Sequence, residues 1–233
     1  MAQPKGIDVS VYQGRVDWRR AKQDGVSFAF IKATEGATLL DSRLVENRRN
    51  ARANGIPCGY YHFFRPRSSL QGQIDNFVKA IGKLYPGDLP PVLDLEVPDQ
   101  WREFSIGERN RMVKAWVDGV KAKLGADPII YCSAYFPDDI LGNAQWLENY
   151  PLWVAHYTRA GAPRVPQPWE FWTFWQFTDT GRIQGIAGDV DVNLFNGSME
   201  QLAKFQQPGE FPVRNLGRRL MAMLPGGVGG IRA

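Results

Sequence analysis

Residues 90–98 read Pro90-Pro91-Val92-Leu93-Asp94-Leu95-Glu96-Val97-Pro98. Prolines bracket an apolar run of strand length, and Pro98 ends it. Side chains two apart on a strand share a face. Asp94 and Glu96 therefore point one way, and Leu93, Leu95 and Val97 the other. Two carboxylates on one face of an otherwise apolar strand are costly unless they are paired or used. Close like charges also raise one pKa, which suits a general acid. Asp-x-Glu alone is a weak motif, and a solvated or salt-bridged pair is the plainer alternative. Its place at the C-terminal end of a strand gives it weight.

The flanking segments show what kind of strand this is. Strand-like runs at 6–9, 28–33, 56–64, 91–97, 128–133 and 152–156 alternate with helical patterns at 17–24, 41–54, 68–84, 105–124 and, more briefly, 138–147. In the third helix a serine cap at Ser68 precedes Ile74, Phe77, Val78 and Ile81 at helical spacing. Beyond this the pattern changes: 171–177 and 190–193 read as strands with no room for a full helix between them, and 198–205 as a last short helix. Alternation of strands and helices implies an α/β protein with a parallel sheet. Five strand–helix units followed by three strands, within about 200 residues, imply a closed TIM-like barrel in a single domain. That domain is expected to span 1–206, with 207–233 as a basic Pro/Gly-rich tail carrying one helical piece at 215–224.

Composition narrows the function classes. The 233 residues are 44% hydrophobic and 22% charged, which is ordinary for a globular chain and excludes disorder. The net charge of +4 comes entirely from residues 201–233, because 1–200 hold 23 basic and 23 acidic residues. No basic stripe crosses the body, so a nucleic-acid partner is not expected. No run reaches the ~18–20 apolar residues of a membrane span, and the opening residues MAQPKGIDVS carry no signal-peptide core. Cys58 and Cys132 lie in apolar strand-like runs and read as buried free thiols. The two histidines, His62 and His156, are too few for a His-rich metal site, and neither a metal nor an organic cofactor is expected. Glycine-rich phosphate loops and a Gly-x-Ser-x-Gly elbow are absent from the sequence.

In a barrel the catalytic groups gather at the C-terminal ends of the strands. Asp8 ends the first strand, and Asp191 lies on the last. Those strands are neighbours in a closed barrel, so Asp8 and Asp191 are expected to meet at the rim that carries Asp94 and Glu96. Aromatics are dense nearby: six in the nine residues 169–177, including Trp175, with Trp153 and Tyr157 around the sixth strand. Most fit core packing. Aromatics at a cleft also stack on the apolar faces of sugars, and carboxylates with aromatics at one barrel mouth suggest a glycosidase.

Six blocks in order then make the sequence resemble the family 25 glycoside hydrolases, the lysozymes that act as N-acetylmuramidases and include phage endolysins. They are GIDVSVYQGRVDW, FIKATEG continuing to Asp41, GYYHFFRP, PPVLDLE, PLWVAHY and WQFTDTGRIQGIAGDVDVNLFNG. The resemblance covers about 5–206 and implies a (β/α)5(β)3 barrel. It implies retaining hydrolysis of the β-1,4 bond between N-acetylmuramic acid and N-acetylglucosamine, with peptidoglycan glycan strands as partner. It makes Glu96 the general acid/base, Asp94 its partner carboxylate, Asp8 and Asp191 the further acids of the mouth, and Tyr61 an active-site tyrosine. With Tyr61, the aromatics Trp153, Tyr157 and Trp175 are the candidate substrate-binding residues. The role of Asp94, as nucleophile or as support for the substrate's own acetamido group, stays open here. A non-catalytic glycan-binding or virion structural protein on the same barrel and a chitinase-like hydrolase are the alternatives. A monomer is expected, phage-encoded, made in a host cytoplasm and acting on the wall after release.

Overall fold

A computed structural model describes residues 3–206. Nine strands form its sheet. They are β1 (Lys5–Val9), β2 (Val26–Glu35), β3 (Leu39–Leu40), β4 (Cys58–Phe63), β5 (Val92–Leu95), β6 (Ile129–Ser133), β7 (Leu152–Ala155), β8 (Phe174–Gly181) and β9 (Val190–Phe195). Eight of them close a barrel in the order β1-β2-β4-β5-β6-β7-β8-β9, and the two-residue β3 pairs outside it with β2. The helices are α1 (Trp18–Gln23), α2 (Leu44–Ala53), α3 (Leu70–Ile81), α4 (Ile106–Leu124) and α5 (Met199–Phe205). The TIM-like α/β barrel is thus the one expected. The tail at 207–233, with its helical piece at 215–224, lies outside the described residues.

The helix ends follow local chemistry. Ser105 and Glu108 cap α4 reciprocally, and Gly125 ends it at φ 72°. Gly82 at φ 73° stops α3 short of the expected residue 84. The helix expected at 138–147 is two short turns, Pro137–Leu141 and Gln145–Asn149, separated at Gly142 and Asn143, both of positive φ.

Two differences matter for the site. The barrel is not wholly parallel: β9 runs antiparallel to both β8 and β1. The eight residues between β8 and β9 hold no helix, and an antiparallel return needs none. The strand expected at 171–177 lies instead at 174–181, because hairpin pairing with β9 extends it to Gly181↔Val190. The expectation that first and last strands meet holds, with Asp8 directly opposite Asp191.

Strand parity sorts the core into two clusters. Ile7, Ile31, Leu93, Leu95, Ile130 and Val154 face outward against the helices. Phe28, Phe30, Val92, Trp153, Phe174 and Phe195 fill the barrel, and Leu202 and Phe205 of α5 pack with them. Cys58 and Cys132 are buried free thiols in the outer layer. His62 also faces outward. It stacks on Trp116 at 5.4 Å, and its nitrogens meet Thr34 Oγ1 at 2.8 Å and Gln73 Oε1 at 3.1 Å, so it forms no dyad with either cysteine.

The inner aromatics fit because glycines face them. A Cβ on Gly6 would lie 2.3 Å from the Phe28 ring, and one on Gly59 would lie 2.6 Å from that of Phe30. Neither glycine has a positive φ, so the requirement is purely for space. Gly6→Ala is therefore expected to destabilise the fold by about 1–3 kcal/mol through overpacking, read as a lowered Tm in thermal unfolding. An unchanged Tm would mean that the ring stack shifts freely.

Candidate active site

The inward face of each strand turns polar at the C-terminal end of the barrel. On β2 the order is Phe28, Phe30, Lys32; on β8 it is Phe174, Gln176; on β5, Val92 gives way to Asp94 and then Glu96. The polar groups among them line a cavity of about 300 Å3. Among the expected residues it brings together Asp8, Asp94, Glu96 and Asp191 with Tyr61, Trp153 and Tyr157.

Trp175 does not join them, which corrects its assignment to substrate binding. It sits on the opposite face of β8 from Gln176, in the layer between barrel and helices. Its Nε1 donates to His156 O at 2.8 Å, and its ring packs on Trp172 and Phe177.

Residues not expected in the site complete the cavity: Ser10, Tyr12, Gln13, Lys32, Phe63, Tyr131 and Gln176, with Asn193 behind its wall. Lys32, Gln176 and Asn193 are polar residues on inward strand faces that also hold phenylalanines, which is the signal that would have found them. Gln176 Nε2 and Asn193 Nδ2 donate to Asp8 Oδ2 at 3.0 and 2.8 Å. Lys32 Nζ pairs with Glu35 Oε2 at 2.7 Å, and Arg65 Nε donates to Glu35 Oε1 at 2.9 Å. Lys32 is thus held on the cavity wall, where its charge draws the pKa values of Asp94 and Glu96 down.

Other forces push them up. Burial holds Asp94 well above the carboxylate range, and the Glu96 charge adds to this. Burial also raises Glu96, against a hydrogen bond from Asp94 and the charges of Lys32 and Arg65. Both carboxyls face the same cavity and both are raised by burial, so the pair holds a proton more firmly than isolated acids would. Asp94 Oδ1 is buried with no protein partner. Just beyond the pair the chain turns sharply: Val97 adopts φ 53°, a strained conformation for a β-branched residue. Trp101 Nε1 holds the turn by donating to Glu96 O at 2.9 Å.

A second hollow, of about 400 Å3, adjoins the first and shares Glu96, Tyr131 and Tyr157 with it. Its other walls include Val97, Pro98, Tyr135 and Phe136, so it is more apolar. Glu96 and Tyr157 stand where a deep polar pocket meets a shallower aromatic one. Such a cleft can hold adjoining units of a polymer with the joining bond over an acid. Among the described residues no His, Cys, Asp and Glu groups are arranged to hold a metal ion.

Across β1 and β9, burial raises Asp8 to about 6, partly offset by Asn193 and Gln176. Burial and the neighbouring Asp8 charge raise Asp191 to about 8. A raised acid binds its proton more tightly in the folded chain than in the unfolded one. For Asp191 the folded state holds the extra proton from about pH 4 to about pH 8, and stability falls as pH rises through that window. Asp191→Asn keeps a donor facing Asp8 and removes the ionisation. It should raise Tm by roughly 2–4 °C at pH 8–9 and hardly at all at pH 4, as melts across pH would show. An equal gain at both pH values would contradict this.

The Glycosyl hydrolases family 25 model matches residues 7–186. The chain is 39% identical over 206 residues to Lysozyme M1 of Streptomyces globisporus, covering 85% of this chain and 69% of that protein. It is 35% identical over 213 residues to the N,O-diacetylmuramidase of Arthroderma benhamiae, covering 88% and 87%. The fold superposes on the crystal structure of a bacterial lysozyme from Streptomyces coelicolor with a TM-score of 0.84 and 38% identity, covering 88% and 98%.

Proposed function

This chain belongs to glycosyl hydrolases family 25, and on that premise we propose that it is a retaining N-acetylmuramidase of peptidoglycan in which Glu96 is the general acid/base and Asp94 supports the substrate's acetamido group. The observation that carries this reading is the placement of the Asp94 and Glu96 carboxyls on one strand face, both lining the deeper hollow, with Glu96 where the second hollow begins. A carboxylate nucleophile must attack the sugar from the side opposite the acid, with about 5–5.5 Å between the two groups. Two neighbouring carboxyls that leave one strand face side by side cannot flank opposite faces of one sugar ring. The substrate's N-acetyl carbonyl, by contrast, is already placed to attack its own anomeric carbon.

The proton accounting then works. The muramic unit sits in the deep pocket, where its acetamido N–H donates to Asp94 and favours the ionised form of that residue. The proton shared by the pair then resides on Glu96. As the carbonyl oxygen bonds to the anomeric carbon, the glycosidic bond breaks and Glu96 gives its proton to the leaving oxygen. Glu96, now a carboxylate, takes a proton from water as the water oxygen displaces the acetamido oxygen. Two inversions give net retention. The leaving sugar occupies the more apolar hollow, with Tyr135 and Tyr157 at its walls.

The test is clearing of purified bacterial walls followed by mass analysis of the fragments. The proposal expects clearing and new reducing ends of N-acetylmuramic acid. Reducing ends of N-acetylglucosamine would assign a different bond, and wall binding without clearing would assign a binding module.

A further inference from the structure

Gln176 has a set of partners that its place in a barrel core does not require. It is buried on the inward face of β8. Its Nε2 donates to Asp8 Oδ2 at 3.0 Å, and its Oε1 accepts from Tyr131 OH and Tyr157 OH, each at 2.8 Å. Both lone pairs of the amide oxygen are thus used. The amide cannot flip, because its carbonyl would then face the Asp8 carboxylate. The second donor to Asp8 Oδ2, Asn193, is itself oriented by Trp153 Nε1, which donates to Asn193 Oδ1 at 2.8 Å. Asp8 Oδ2 is therefore occupied by two amide donors, and its other oxygen is left for Asp191 and the cavity.

The two tyrosines differ. Tyr131 is buried, and its ring packs edge-on against Trp153 at 4.5 Å. Tyr157 is half exposed, lies beyond the end of β7 and borders both hollows. Its hydroxyl bond to Gln176 joins a rim side chain to the floor of the pocket.

We infer that Gln176 is a positioning residue for the proposed reaction: a single amide fixes the Asp8 carboxylate in the floor and seats the Tyr157 ring between the two sugar-binding hollows. This rests on the muramidase reading. It assigns Gln176 no contact with reacting atoms; it acts through Asp8 and Tyr157.

The experiment compares wild type, Gln176→Glu, Gln176→Met and Tyr157→Phe on soluble peptidoglycan oligosaccharides, with thermal melts and pH profiles of kcat and KM. Asp8 is faced by Asp191 from β9, by Asp94 and Glu96 from β5 and its end, and by Lys32 from β2. Tyr61 from β4, Tyr131 from β6 and Tyr157 beyond β7 face it as well. All of these groups stay in place in the two Gln176 variants. Gln176→Glu keeps shape and still accepts from both tyrosines, but an ionised carboxyl has no proton to donate to Asp8. Burial and the Asp8 charge raise the new carboxyl as they raise Asp191, so a loss in kcat of up to about 10²-fold is expected on the alkaline side of the profile, shrinking as the pH is lowered and the new carboxyl regains a donor proton. Gln176→Met should lose kcat with no such recovery. Tyr157→Phe should raise KM by about two- to tenfold with kcat little changed.

A purely structural role would move the melts without tilting the pH profile. An unaltered pH profile in a folded Gln176→Glu overturns the inference, and so does an unchanged KM in Tyr157→Phe, which decides the matter even if the Gln176 variants fail to fold. Wild-type protein that clears no wall sinks the muramidase reading and this inference with it; wild-type clearing beside an unaltered Gln176→Glu sinks this inference alone.

Discussion

Glu96→Gln is expected to lower wall hydrolysis by about 10²–10⁴-fold, the range that general acid–base groups contribute, while leaving the melting curve near that of the wild type. The amide keeps the shape of the side chain at the junction of the two hollows. It can neither protonate the leaving oxygen nor accept a proton from water, so both halves of the reaction fail. The fold should not suffer, because the buried carboxyl it replaces carries a raised pKa and adds no stability at neutral pH. Clearing assays over long incubation with matched thermal melts measure both quantities. Activity within tenfold of wild type would move the acid role to another of the mouth carboxyls.

Asp94→Asn should fail differently. An asparagine in this position still offers a carbonyl oxygen to an acetamido N–H but cannot become an anion. If Asp94 supports the acetamido group, a loss of about 10²-fold is expected, the size seen when one preorganised polar contact to a transition state is removed. Retained stereochemistry should persist. Glu96 would also lose the partner with which it shares a proton, so the alkaline limb of the pH profile should move to lower pH. Were Asp94 a covalent nucleophile, the variant would be as inactive as Glu96→Gln. Mass spectrometry that trapped a sugar on Asp94 of the wild type would overturn the assisted mechanism outright.

The difference between what could and could not be read from the chain has a physical origin. Period-two alternation in Val92-Leu93-Asp94-Leu95-Glu96 was enough to aim both acids at one side, because only one face of that strand is apolar at its end. Barrel closure then brought Asp8 opposite Asp191 without any further signal. The stretch Phe171–Phe177 carries aromatics on both faces, so alternation could not say which side was interior, and Trp175 went to the wrong one. The direction of β9 depended on how an eight-residue connection turns, which periodicity does not encode. Lys32 and Gln176 were legible in principle, as polar residues on inward faces that hold Phe28, Phe30 and Phe174 below them. Their partners were not. Gln176 and Asp8 lie 168 residues apart, and only the closed barrel makes them neighbours.

Proton NMR of the first product formed from a soluble peptidoglycan oligosaccharide, followed before mutarotation, addresses the paired-carboxyl account most directly. That account predicts that the new reducing N-acetylmuramic acid appears first as the β-anomer and only later equilibrates with the α-form. Initial release of the α-anomer would mean that water attacks directly from the face opposite Glu96, and would contradict it.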